Sequence, residues 1–213
     1  MLRGPIAISL VVQLLLAGHC LAQTDDPGPL RVGDRWSYDV RDELTGDLRM
    51  TFTVVAAEID QKEITTRVSV RGRDRPQTMV YDLNWGRIDD GVWRSRPSDL
   101  SGIRKPLQTG KEWRSEGTTT NIQSGVALRT SGATKVVREE QITTPAGTFD
   151  TFRLEATVRQ INTTDQTKSS TVTFVIWYAP AINRWVKRKT DVRFEGRLRD
   201  SFSEELTEYS RRP

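Results

Sequence analysis

Along most of the chain, apolar and polar residues alternate with a period of two. Residues 48–56 place Leu48, Met50, Phe52, Val54 and Ala56 on one side and Arg49, Thr51 and Thr53 on the other. Ile64, Val68 and Val70 alternate with Thr65, Arg67, Ser69 and Arg71. Phe152, Leu154, Ala156 and Val158 alternate with Arg153, Glu155, Thr157 and Arg159. This is the pattern of antiparallel strands with one face on a core and the other in water. No segment sustains a helical period over twelve residues. Thr144-Pro145-Ala146-Gly147 predicts a tight turn that joins residues 136–143 to 148–159 as a hairpin. Residues 171–178 are apolar on both faces, Val172, Phe174 and Ile176 against Val175 and Trp177, which predicts a central strand ended by Ala179-Pro180-Ala181. Residues 184–199 and 202–209 supply the last strands. Residues 87–105, punctuated by Gly91, Pro97 and Gly102, read as a loop-rich crossover.

The chain also echoes itself. The pattern P-L-x-x-G-x-x-W occurs at residues 29–36 and again at 106–113. Val54-Val55-Ala56-Ala57-Glu58 and Val136-Val137-Arg138-Glu139-Glu140 follow at roughly matching distances. A loop, a Gly-dependent turn and a strand opened by a buried Trp account for each copy. Neither half has enough apolar surface to stand alone, so the two are expected to share one core. The expected fold is therefore all-β: a single curled antiparallel sheet, half-barrel or sandwich, built from halves at about 29–105 and 106–213.

The N-terminus carries an export signal. Arg3 precedes residues 6–16, which are apolar apart from Ser9 and Gln13. The run is too short to span a bilayer, which takes about 20 apolar residues, but it suits the core of a signal peptide. Cys20-Leu21-Ala22 favours cleavage after Ala22. Ala17-Gly18-His19-Cys20 offers a competing lipoprotein exit at Cys20, weakened by the bulky His19. Residues 1–22 are read as the signal, 23–28 as a flexible leader and 29–213 as the β domain, with a periplasmic location expected.

Composition then narrows the chemistry. The 213 residues hold one Cys and one His, both inside the signal. A chain cut after Ala22 would contain neither, and so could not use a thiol nucleophile, an imidazole base or an ordinary zinc site. Adjacent carboxylates at Asp89-Asp90, Glu139-Glu140 and Glu204-Glu205 would point to opposite faces of a strand and form no dyad by themselves. No metal, cofactor or enzymatic activity is expected. A net charge of +4 is too weak, and the motifs too few, for a nucleic-acid partner.

Residues 136–140, the run Thr144-Pro145-Ala146-Gly147-Thr148-Phe149-Asp150-Thr151, Trp177-Tyr178-Ala179-Pro180 and Val186-Lys187 resemble a family of exported bacterial β-rich proteins with a "PAGTF…WYAP" pattern and no assigned function. The resemblance implies a Gram-negative envelope location and a curled antiparallel sheet, and brings no catalytic residues. A more distant likeness in layout is to periplasmic lipoprotein-carrier folds, whose curved sheet cups an acyl chain.

Six Trp residues supply aromatic surface. Trp36, Trp113 and Trp177 are expected to anchor the core. Trp85 and Trp93 lie near turns and charges and are the candidates for a groove that stacks sugars or covers an acyl chain. Lys187, Lys189, Arg193 and Arg197 fall on one face of the penultimate strand and are candidates for contact with an anionic envelope surface. Glu204, Glu205 and Glu208 are placed to neutralise that face. The expected function is a non-enzymatic periplasmic binding or carrier module for an apolar or glycolipid-like ligand. The alternative is an envelope interaction protein that docks a partner or an anionic surface through sheet edges and the basic strand.

Overall fold

A computed structural model describes residues 29–211. The cleavage and lipidation sites at Ala22 and Cys20 lie outside the described residues. The strands are β1 (Arg35–Asp42), β2 (Leu48–Ile59), β3 (Glu63–Val70), β4 (Gln77–Asp82), β5 (Arg87–Asp89), β6 (Trp93–Arg96), β7 (Glu112–Asn121), β8 (Ala127–Thr144), β9 (Gly147–Asn162), β10 (Ser169–Ala179), β11 (Arg184–Phe194) and β12 (Arg197–Ser210). A single 3-10 turn, Pro180–Ile182, joins β10 to β11.

Each strand pairs antiparallel with the next in sequence, and β12 returns to β1, so the sheet closes into a twelve-stranded up-and-down barrel. This corrects the half-barrel or sandwich expected from the alternation. The period of two tells which face of a strand is buried; it does not tell which strand lies beside the first. Closure rests on the ladder from Arg35↔Ser210 to Asp42↔Phe202, between segments at opposite ends of the described chain. It also removes the two terminal edges that a partner would need for docking by strand addition. The segment expected to be a crossover contributes two short strands of the wall, β5 and β6, and the following link, residues 97–111, folds inward. Its Leu100 and Ile103 are buried. Gly102 of the link passes close to the β4–β5 turn, where a Cβ would lie 3.1 Å from Gly86 N. The β8–β9 hairpin turns at residues 145–146, between the paired Thr144 and Gly147.

The echoed motifs make the same local structure twice. Gly33 and Gly110 have φ of 95° and 87°, a region that costs residues with a Cβ. Gly33 N–H donates to Ala56 O and Gly110 N–H to Val136 O, both at 2.8 Å. Ala56 and Val136 each donate back, to Asp34 O and Lys111 O, at 2.9 Å. A bulge follows each acceptor, between Ala56 and Glu58 and between Val136 and Arg138. The likeness extends to the β1–β2 and β7–β8 hairpin tips. Gly46 N–H donates to Asp42 O and Gly125 N–H to Asn121 O, both at 2.9 Å, while the Asp42 and Asn121 side chains accept backbone N–H groups of the same turns.

Meander topology puts alternate connections at opposite ends of the barrel. The end holding the start of β1 is plugged. Trp36 Nε1 donates to Ile182 O (3.2 Å), Tyr38 Oη to Trp185 O (2.8 Å) and Trp85 Nε1 to Asn183 O (2.7 Å). Three aromatics thus tie β1 and the β4–β5 turn to the β10–β11 connection and the start of β11. Arg184, 1% exposed, lies among their rings, 4.1 Å from the centroids of both Trp85 and Trp185 and 5.2 Å from that of Trp36. A desolvated guanidinium in such a cage gains about 2 kcal/mol or more per good face, which offsets its buried Nε and Nη1, neither of which has a hydrogen-bond partner. Burial among these groups pushes the Tyr38 and Tyr178 hydroxyls well above the usual phenol range. Trp36 and Trp113 are core residues. Trp177 is only half-buried on the outer wall, where it packs on Arg153 and donates to Glu140 Oε1 at 2.9 Å.

Candidate functional site

Toward the other end, the lumen is not filled. A cavity of about 370 Å³ is lined by side chains from the strands around it and from the inward link. Its apolar wall comes from Leu128 of β8, Val158 of β9, Val172 and Phe174 of β10 and Phe202 of β12, with Trp93 of β6 toward the mouth. Alternation explains the wall, because each of these occupies an inward register position on an antiparallel strand.

A polar strip crosses this surface. Arg188 of β11 pairs with Glu204 of β12 through Nε–Oε2 and Nη2–Oε1 contacts of 2.5 and 2.8 Å. Its guanidinium also lies 4.5 Å from the Trp185 centroid. Burial opposes the charge on Arg188, yet the attraction of Glu204 outweighs it and holds the guanidinium above its ordinary range. Asp99, from the inward link, accepts from Arg87 N–H at 2.9 Å and from Ser101 Oγ at 2.6 Å, and pairs with Arg87 Nε at 3.4 Å. Thr190 is 4% exposed, lines the cavity, and its hydroxyl has no hydrogen-bond partner. A buried hydroxyl without a partner costs about 1–3 kcal/mol, and this one stands on the strand face that lines the cavity.

The structure separates the two tryptophans proposed for a groove. Trp93 lines the cavity. Trp85 is 2% exposed within the plug, where its backbone adopts φ 66°. A left-handed conformation at a bulky residue costs about 1–2 kcal/mol; it turns the indole inward against Arg184, and the hydrogen bond to Asn183 O holds it there.

The basic strand is divided too. Lys187 pairs with Glu205 at 3.5 Å and Lys189 with Glu43 at 2.7 Å. The hydrogen bond from Lys189, then that from Ser203, holds the Glu43 carboxyl below its usual range. Arg193 and Arg197 are exposed beside the β11–β12 tip. Arg188, Thr190 and Glu204 were missed as site residues, although a signal was present. On the strand whose odd positions are basic and whose even positions carry Val186, Val192 and Phe194, Arg188 and Thr190 fall on the apolar side.

No protein-family model and no curated protein matches the chain. Two solved structures share its fold. One is an inferred lipoprotein of Parabacteroides distasonis ATCC 8503, with TM-score 0.57 and 14% identity, over 85% of this chain and 97% of that one. The other is an inferred exported protein of Bacteroides fragilis NCTC 9343 with a fold described as YmcC-like, at TM-score 0.56 and 14% identity, over 86% of this chain and 98% of that one.

Proposed function

We propose that the chain is an exported cell-envelope binding module whose lumen holds an apolar or glycolipid-like ligand, with no chemical step performed on it. The apolar body lies against Val158, Val172, Phe174 and Phe202, and a polar group of the ligand reaches Thr190 and Arg188. The observation that carries this reading is a 370 Å³ cavity whose apolar wall is crossed by Arg188 and Thr190. That volume is within the range of small-molecule sites, about 300–1,000 Å³. The fold shared with chains described as exported or lipoproteins and the signal-like N-terminus support the location. The test is native mass spectrometry of protein purified from the cell envelope. A co-purifying species of discrete mass, lost in Val172→Trp, which fills the lumen, is expected. A bare mass for the wild-type protein, with no uptake of added phospholipid or glycolipid, would overturn the reading.

A further inference from the structure

The rim of the open end differs from the rest of the surface. Among the described residues, nine large apolar side chains are exposed, and only Val32 and Leu83 of these lie at the plugged end. The others gather at or beside the hairpin tips of the opposite end. Leu44, 79% exposed, crowns the β1–β2 tip; Val92 crowns β5–β6; Ile122 and Val126 flank β7–β8; Leu198 follows β11–β12. Scattered exposed apolar residues are ordinary; their concentration around one mouth marks an interaction surface.

Between these apolar tips stand basic ones. The β3–β4 tip carries exposed Arg71, Arg73 and Arg75 against the single Asp74, and it lies between the Leu44 and Val92 tips in the strand order. On the other side of the Leu44 tip, the β11–β12 tip carries exposed Arg193 and Arg197 against Glu195. None of these five arginines forms an ion pair among the described residues, whereas Lys187 and Lys189 on the barrel wall are both paired. Unpaired arginines interleaved with projecting Leu, Ile and Val side chains complement a surface that is anionic at its face and apolar just beneath.

We infer that the rim of the open end docks on an anionic phospholipid bilayer, with the Leu44, Val92 and Ile122 tips entering the headgroup layer and the arginine tips on lipid phosphates. Apolar insertion and the attraction of cations to an anionic leaflet act together in such binding. Docking in this pose sets the mouth of the lumen against the lipid. The surface stands on the rim residues alone and does not depend on what the lumen holds.

The experiment is vesicle co-sedimentation of the non-acylated chain from Gln23 onward, which contains every strand of the barrel. Vesicles of phosphatidylethanolamine with 30% phosphatidylglycerol are compared with phosphatidylcholine vesicles. Binding to the anionic vesicles is expected, falling on the order of a hundredfold in Arg71→Ser/Arg73→Ser/Arg75→Ser and on the order of tenfold in Leu44→Asp/Ile122→Asp, with no change in the plugged-end control Leu83→Asp. A Val92→Trp reporter is expected to shift its emission to the blue on the anionic vesicles, and a Leu83→Trp reporter is not. Failure of the wild-type protein to bind, equal loss in Leu83→Asp, or a rim that instead pairs two copies of the chain in sedimentation equilibrium would each overturn the inference. Val172→Trp separates this result from the lumen reading, because it removes the retained ligand and leaves vesicle binding intact.

Discussion

Arg188 and Glu204 stand opposite each other on β11 and β12 and join inside the barrel, at 2.5 and 2.8 Å, while their immediate neighbours Lys187 and Glu205 join outside, at 3.5 Å. Two ion pairs one residue apart therefore experience different solvents. The inner pair has lost most of its water, and removing one member strands a charge. Glu204→Gln or Arg188→Met alone is expected to cost about 2–4 kcal/mol, somewhat under a fully enclosed pair because Arg188 still borders the cavity. The double variant Arg188→Met/Glu204→Leu is expected to regain most of it. Lys187→Met should cost less than about 0.5 kcal/mol. Urea unfolding of the four proteins checks the ordering; equal losses at Arg188 and Lys187 would contradict the inward assignment.

Thr190 offers an opposite pair of effects in one substitution. Its hydroxyl is buried and unpartnered, so Thr190→Val is expected to stabilise the empty protein by about 0.5–1 kcal/mol. The same change should weaken retention of any species found in the lumen. Thermal unfolding of ligand-stripped protein, beside the native mass spectrum, reads both signs.

The two glycine turns should respond alike. A Cβ at Gly110 would meet nothing within 4 Å, so the cost of Gly110→Ala is one of backbone conformation at φ 87°, about 1–2 kcal/mol. Gly33→Ala, at φ 95° with the same hydrogen bonds, is expected to cost a similar amount. A difference above about 1 kcal/mol between them in denaturant unfolding would argue against equivalent halves.

Asp42 at the β1–β2 tip has a carboxyl lowered to about 2, first by its hydrogen bond with Arg49 and then by the Thr45 and Leu44 amides. Its folded value lies below the unfolded one. The stability it contributes is thus present above the ordinary carboxylate range, near pH 3.9, and is lost as pH falls through about 2. Arg49→Met is expected to raise the Asp42 value, with the two amide bonds keeping it below the ordinary range. Carboxyl-carbon NMR titration measures it directly.

Much of this is legible in the sequence. Alternation at residues 52–56, 64–70 and 152–158 marks half-buried strands because side chains on a pleated strand must alternate; Leu48 and Met50, in phase with them, are exposed near the hairpin tip. Thr144-Pro145-Ala146-Gly147 specifies its hairpin, and the repeated P-L-x-x-G-x-x-W pattern its paired turns, because each depends on residues only a few positions apart. The short strands β5 and β6 were hidden by Gly91 and Pro97, which read as loop while the ladders around them make wall.

What the sequence by itself determined about this chain is local: an all-β chain, its in-and-out faces, its turns, and a β domain without Cys or His. Tertiary structure alone decided the rest. Whether Arg35 would pair with Ser210 and close the barrel, whether Trp85 would plug one end while Trp93 lined the cavity, and whether Arg188 would find Glu204 all depend on contacts between distant segments. Such contacts are settled by the summed packing and pairing of the whole sheet, which no short stretch of residues records.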